Sequence, residues 1–322
     1  MSVFRVEWPA PNLAHLVMDD PARKINVIDA PAVVALENAL TELEGAAALE
    51  GVVLLSGKRG SFIAGADVDA IGSMTDRALV LAQIRRAHAA FGRLAALRAP
   101  TVAAIAGVCL GGGTELALAC DSRVAAEEPA TQIGLPETLL GIFPGFGGTT
   151  RLPRLVGLRA ALDLVLTGRA LDARRAERVG LIARAVPGAW LVEAAHRRLE
   201  ELKRRPAGKR RDRYRARTTV DWMLEGNLLG RQLVFRGARA ATQARTRGQY
   251  PAPLAAIRVM ELGLGRPIEE GLKLEADWVA DLVVSPVCKN LVRIFLLSDR
   301  AKKDAVSEPA CDPAAVRTLA LV

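Results

Sequence analysis

Nowhere in its 322 residues does the sequence hold the ~18 consecutive uncharged apolar residues of a membrane-spanning helix. The N-terminus, MSVFRVEWPA, has no basic stretch followed by an apolar one, so no secretory signal is expected. Both absences point to a soluble, cytoplasmic protein. Cysteine is scarce. Cys109, Cys120, Cys288 and Cys311 show neither metal-ligand spacing nor the density of a disulfide framework, which leaves reduced, mostly buried thiols as the expectation. Histidine is scarcer: His15, His88 and His196 are scattered over a predicted strand and two predicted helices, and no triad or zinc signature surrounds any of them. No metal site is expected.

What is present begins with an apolar half, 51% of the residues, enough for a substantial core. The length suits one large domain plus an appendage. The net charge of +9 is concentrated, because residues 196–217 hold eleven Lys/Arg against three Asp/Glu. Such a block can attract phosphates, nucleic acid or an acidic partner. More commonly it is a solvated helix end and linker. Tyr214 is its single aromatic, so the stacking partners that single-stranded nucleic acid needs are missing, and no nucleic-acid partner is expected.

Along the chain, Val3–Trp8 and Leu13–Met18 read as a β-hairpin. Val33, Leu36, Leu40 and Leu43 repeat at helical spacing after Pro31. Val52–Leu55 reads as a buried strand, and Phe62–Asp67 as a second extended piece ending in small residues. A long helix is predicted from Asp76 to Leu97, then strands at Thr101–Ala106 and Arg123–Ala126. The order strand, strand, helix recurs, which predicts an α/β domain with largely parallel strands. Residues 132–148 are loop-rich, and a loop of that length in a compact domain tends to be functional. Helices are predicted at 147–155, 158–167, 172–178 and 188–204, with three or four more between Thr218 and Lys303.

Between the strand at 101–106 and a buried helix lies Gly107-Val108-Cys109-Leu110-Gly111-Gly112-Gly113-Thr114-Glu115. Three consecutive glycines remove every Cβ from the turn, so a ligand can approach the main chain, and the first helical amides point at it. Glu115 lies about one helical turn beyond Gly112, so its carboxylate and that amide can face one small volume. A Glu in a first helical turn is also favoured by the helix dipole alone.

Phe62-Ile63-Ala64-Gly65-Ala66-Asp67, Gly111-Gly112-Gly113-Thr114-Glu115 and Gly134-Leu135-Pro136-Glu137 through Pro144-Gly145-Phe146-Gly147-Gly148 resemble the three signature segments of the enoyl-CoA hydratase/isomerase (crotonase) family. The resemblance covers roughly residues 1–204 and implies a crotonase-like spiral of ββα units. Tyr250-Pro251-Ala252-Pro253, Gly271–Glu275 and Asn290–Phe295 are similar to the linker of multifunctional fatty-acid oxidation α subunits. This implies a helical linker region over 205–303 that folds back on the first domain, a monomer in isolation and a thiolase β subunit as partner. Arg317–Val322 resembles the first strand of a dinucleotide-binding domain, so 304–322 is expected to be the truncated start of one. No complete NAD site is expected, since no glycine fingerprint follows.

The family's pattern implies hydration of trans-2-enoyl-CoA in β-oxidation, with Δ3-Δ2 isomerisation as a second activity and no cofactor besides the CoA thioester. Ala64 and Gly112 would offer the oxyanion amides, Glu115 would deprotonate water and Glu137 would protonate the α-carbon. Lys24, Ile25, Asn26, Gly65, Ala66 and Asp67 would line the CoA thioester, although Asp67 reads equally as a helix cap. Glu115 and Glu137 stand 22 positions apart, slightly beyond the family's usual separation, and the extra residues are expected in a surface turn at Glu127–Ala130. The competing readings are an RNA-associated crotonase-like protein, or an acyl-CoA-binding scaffold without turnover.

Overall fold

The computed structural model describes residues 2–216 and 218–307. β1 (Phe4–Ala10) and β2 (Leu13–Met18) form the antiparallel hairpin, and its register slips between Glu7 and Ala10, where Pro9 has no N–H for the ladder. α1 (Ala30–Gly45) starts where Asp29 accepts the Ala32 amide. Its buried stripe includes Val33, Leu36, Leu40 and Leu43.

A unit then repeats. β3 (Gly51–Ser56) and β4 (Ser61–Ile63) lead into α2 (Val68–Ser73) and α3 (Arg77–Ala96). Next come β5 (Thr101–Ile105), β6 (Val108–Leu110) and α4 (Gly112–Ala119). The third unit has β7 (Ser122–Ala126), β8 (Gln132–Gly134), a 3-10 turn at Glu137–Leu140, α5 (Gly148–Val156) and α6 (Leu158–Thr167). β9 (Ala170–Leu171), α7 (Ala173–Val179), β10 (Arg184–Val186) and α8 (Leu191–Lys203) follow. The first strand of each unit enters a six-stranded sheet ordered β1-β2-β3-β5-β7-β10, parallel from β2 onward. The second strand enters a four-stranded sheet ordered β4-β6-β8-β9. This is the expected crotonase-like spiral.

Alternation along the strands divides the core. Val52 and Leu54 enter the main cluster, whereas Val53, Val102, Ala104 and Val124 meet Leu191, Ala195, Leu199 and Leu202 of α8. Glu127–Ala130 form an exposed turn after β7, as expected. The basic segment is stitched down: Arg198 binds Asp212 at 2.7 Å, and Arg211 donates to the carbonyls of Leu118 and Ala119 at the end of α4.

Among the described residues five helices follow, where three or four are expected: α9 (Thr219–Glu225), α10 (Leu228–Thr246), α11 (Pro251–Gly263), α12 (Ile268–Val283) and α13 (Pro286–Ser307). A capping box of Thr218 and Asp221 starts α9, and Asn227 caps α10 just after α9 ends, so the two are separate. α12 lies along α3 and α5, and α13 along α2 and the 3-10 turn, so both fold back on their own chain. α13 runs to Ser307, past the boundary expected at 303; the strand expected at Arg317–Val322 lies outside the described residues. Among the described residues, no helix is long and apolar enough to cross a membrane.

Candidate active site

Two glycine turns meet beside β4. Gly111, which precedes α4, has φ +52°, and Gly65 has φ +103°, a region that side-chain-bearing residues avoid. A Cβ on Gly111 would stand 3.6 Å from the Gly65 Cα, and one on Gly113 would stand 2.3 Å from the Ile63 carbonyl oxygen. The missing side chains are therefore what let α4 dock against β4 and segment 64–66.

The backbone amides there are not equivalent. The Ala64 amide donates to the Asn26 carbonyl at 2.9 Å, which corrects the expectation that it faces a ligand. The chain then pairs with Ile28, whose amide donates to the Gly65 carbonyl at 2.7 Å. Two residues past Ala64, the Ala66 amide has no acceptor among the described residues. The Gly111 amide donates to the Gly134 carbonyl at 2.9 Å, while that of Gly112 has no such acceptor.

Two glutamates flank this turn. Glu115 is 1% exposed, and its Oε1 accepts the amides of Phe146 and Gly148, each at 2.7 Å. Glu137 opens the 3-10 turn behind Pro136. A Cβ on Gly111 would lie 2.9 Å from its Oε1, and its Oε2 is buried with no hydrogen-bond partner. Burial above all, then the charges of Glu137 and Glu275, holds Glu115 well above the usual carboxylate range, although the Gly148 and Phe146 amides pull the other way. Burial pushes Glu137 up to about 8; its own amide opposes this and the Glu275 charge adds to it. Phe146 closes one side, its ring against Gly112 and edge-on to Phe91 with centroids 5.9 Å apart.

The expected substrate-binding residues divide. Gly65 and Ala66 lie at the glycine turns, and Lys24 and Ile25 are exposed on the preceding loop. The Asn26 side chain is committed elsewhere: its amide group donates to the Met18 carbonyl at 2.8 Å, Ser56 Oγ at 3.0 Å and the Phe62 carbonyl at 3.2 Å, and its Oδ1 accepts the Asp20 amide. Asn26 thus ties three strand ends together and leaves no side-chain group for CoA. Asp67 caps α2 through the Ala70 amide and pairs with Arg23 at 2.9 Å. The capping reading of Asp67 is the one the geometry supports.

Arg23, which also pairs with Asp20 and Asp29, was not expected near the site, and Glu275 was expected only as part of the linker. Glu275 is 0% exposed on α12 and accepts from Gly147, Thr149 and Thr150 of the loop that binds Glu115. A carboxylate within the apolar stripe of Gly271, Ala276, Val279 and Ala280 was the available signal.

The sequence profile of the enoyl-CoA hydratase/isomerase family matches residues 10–217. The chain is 39% identical over 305 residues to the fatty acid oxidation complex subunit alpha of Vibrio vulnificus, covering 95% of this chain and 42% of that protein. It is 38% identical to the protein of the same name from Shewanella baltica, over 92% of this chain and 41% of the relative. It thus spans about two fifths of the length of these curated relatives. Among solved structures, an enoyl-CoA hydratase from Bacillus anthracis superimposes with a TM-score of 0.57 at 26% identity, over 94% of this chain and 96% of its own. An enoyl-CoA hydratase/isomerase from Xanthobacter autotrophicus shares the fold with a TM-score of 0.64 at 24% identity, over 96% and 99%. The chain belongs to the enoyl-CoA hydratase/isomerase family and has the crotonase fold.

Proposed function

We propose that the chain hydrates trans-2-enoyl-CoA to 3-hydroxyacyl-CoA, a step of fatty-acid β-oxidation, and that the same carboxyls carry Δ3-Δ2-enoyl-CoA isomerisation. One observation carries this reading: beside the Gly111–Gly112 turn stand a buried Glu115, supplied with donors, and a half-buried Glu137, whose buried Oε2 is bare. The thioester oxygen would lie between the amides of Gly112 and Ala66. Charge developing there as the enolate forms is stabilised by roughly 3 kcal/mol per donor. Two amides on Glu115 Oε1 offset part of the burial that raises its proton affinity, and in the ionised form its Oε2 takes a proton from the water whose oxygen bonds to C3. With a pKa of about 8, Glu137 is protonated at neutral pH and gives its proton to C2. One proton is taken and one given, and exchange with solvent resets the pair. Isomerisation uses a carboxyl to move a proton between C2 and C4. Neither reaction calls for a cofactor beyond the CoA thioester.

The named relatives are subunits of a fatty acid oxidation complex, which supports a thiolase β subunit as partner and a cytoplasmic setting. Because α12 and α13 cover their own chain, the isolated 34.3 kDa chain is a monomer, which light scattering after size exclusion tests. The decisive assay is loss of enoyl absorbance with crotonyl-CoA and longer enoyl-CoAs. Wild-type protein that leaves every enoyl-CoA unchanged would instead favour an acyl-CoA-binding scaffold.

A further inference from the structure

Hydration as derived above gives Glu275 no part, yet this buried carboxylate on α12 is among the most heavily bonded in the molecule. Its Oε1 accepts the Gly147 amide and lies 3.3 Å from His88 Nε2 of α3. Its Oε2 accepts the Thr149 hydroxyl and both the amide and hydroxyl of Thr150, the latter two at 3.2 Å. The amides of Phe146 and Gly148 go to Glu115. Along the segment that enters α5, then, donors are shared between a glutamate on α4 and a glutamate on α12.

We infer that Glu275 is a positioning residue for hydration: by fixing the Gly147–Thr150 backbone from the side opposite Glu115, it sets the two amides that orient the Glu115 carboxylate. The inference rests on the hydratase reading. Gly145, Gly147 and Gly148 give the start of α5 little side-chain packing of its own, and Gly147 has φ +112°; besides the two glutamates, Arg151 holds it, its guanidinium donating to the Phe146 carbonyl at 3.2 Å and its amide to that of Gly147 at 2.7 Å. Without an acceptor at Glu275, the Gly147 amide and two threonine hydroxyls would be buried unpaired, and the loop would move to satisfy them. A shift of about 1 Å at a reacting group can lower a rate on the order of 100-fold.

Glu275 faces His88 from α3, Arg151 and Arg154 from α5, Glu115 from α4 and Glu137 from the 3-10 turn. Its charge raises the proton affinity of both Glu115 and Glu137, so neutralising it moves the alkaline limb of the rate profile to lower pH.

The experiment measures kcat, KM, pH profile and thermal midpoint for the whole chain on crotonyl-CoA, comparing wild type with E275Q, T149V and D277N. Asp277 stands on the exposed side of α12, paired with Arg85. For E275Q, kcat is expected to fall roughly 10- to 100-fold while KM stays within about threefold, and the alkaline limb to shift down. T149V keeps the charge and removes one donor, so its kcat falls less and its pH profile stays put; D277N matches wild type. E275Q with wild-type kcat and pH profile overturns the inference. Should E275Q fail to fold, T149V decides: a lower kcat at unchanged KM supports it, and a wild-type kcat overturns it. A wild-type chain inert towards every enoyl-CoA sinks the hydratase reading itself, whereas an active wild type with indifferent variants sinks only the role of Glu275.

Discussion

The segment Phe146–Thr150, which runs into the first turn of α5, is held from one side by Glu115 of the ββα spiral and from the other by Glu275 of the C-terminal helices. The two arrive by different routes. Glu115 is placed by its immediate neighbours, since Gly111 turns the chain at φ +52° and Gly113 lets the helix sit on Ile63. No local motif places Glu275. It is carried there by the docking of α12, whose Ala276, Val279, Ala280 and Val283 are buried. Short-range geometry thus places Glu115, and long-range packing brings Glu275 to the same segment.

Breaking the local side has the largest expected effect. Glu115→Gln and Glu137→Gln should each lower kcat on crotonyl-CoA by roughly 10²–10⁴-fold with little change in fold, because each removes a proton donor or acceptor and keeps the shape. Wild-type turnover in either variant would remove that residue from the chemistry. Next comes Gly113→Ala, whose Cβ would stand 2.3 Å from the Ile63 carbonyl oxygen, a backbone atom that cannot swing aside. It should cost about 1–3 kcal/mol in denaturant unfolding. An unchanged midpoint would show that α4 and β4 have room to separate.

What was legible in the sequence follows the same division. The hairpin, α1, α3 and α6 were readable because their periodicity is local, and the predicted 158–167 helix has the observed bounds. The extended piece at Phe62–Asp67 was overread: its strand ends at Ile63, because Ala64 and Gly65 pair instead with the Asn26–Ile28 segment. That pairing also decides which amide is free. Ala64 and Ala66 look alike in a run of small residues, and only the position of Asn26 and Ile28 distinguishes them. Asn26 was expected near the substrate through its backbone; that its side chain knits Met18, Ser56 and Phe62 together was not legible, because that task is set by three distant segments. The short α9 was hidden because a helix of two turns has too little periodicity to show.

A pH experiment sharpens the comparison on the spiral's side. The folded-state pKa of Glu137, about 8, lies above that of an unfolded glutamate. The folded protein therefore holds an extra proton between roughly pH 4.5 and 8, and the stability linked to it is full below that window and lost as pH rises through it. Glu137→Gln cannot ionise. Its thermal midpoint should exceed that of wild type at pH 8.5, by roughly 2–4 °C for each kcal/mol released, and the gap should close towards pH 5. A gap independent of pH would mean that the Glu137 carboxyl meets water more freely than its buried Oε2 indicates.

The smallest effect is expected at the exposed edge of α12. Asp277 pairs with Arg85 at 3.1 Å, with both side chains well exposed, and Asp281 pairs with Arg77 one turn further on. Pairs of this kind contribute about 0.2–1 kcal/mol, are weakened by salt and hold two long side chains in place at an entropic cost. Asp277→Asn should therefore move the urea midpoint barely at all, and the difference from wild type should vanish in high salt. The apolar face of the same helix predicts the opposite scale: Val279→Ala opens a cavity against Gly145 and should cost more than the loss of the ion pair, about 1 kcal/mol or above. If Asp277→Asn instead proved the costlier change, docking of α12 would be electrostatic, and the loop it reaches through Glu275 would loosen as ionic strength rises.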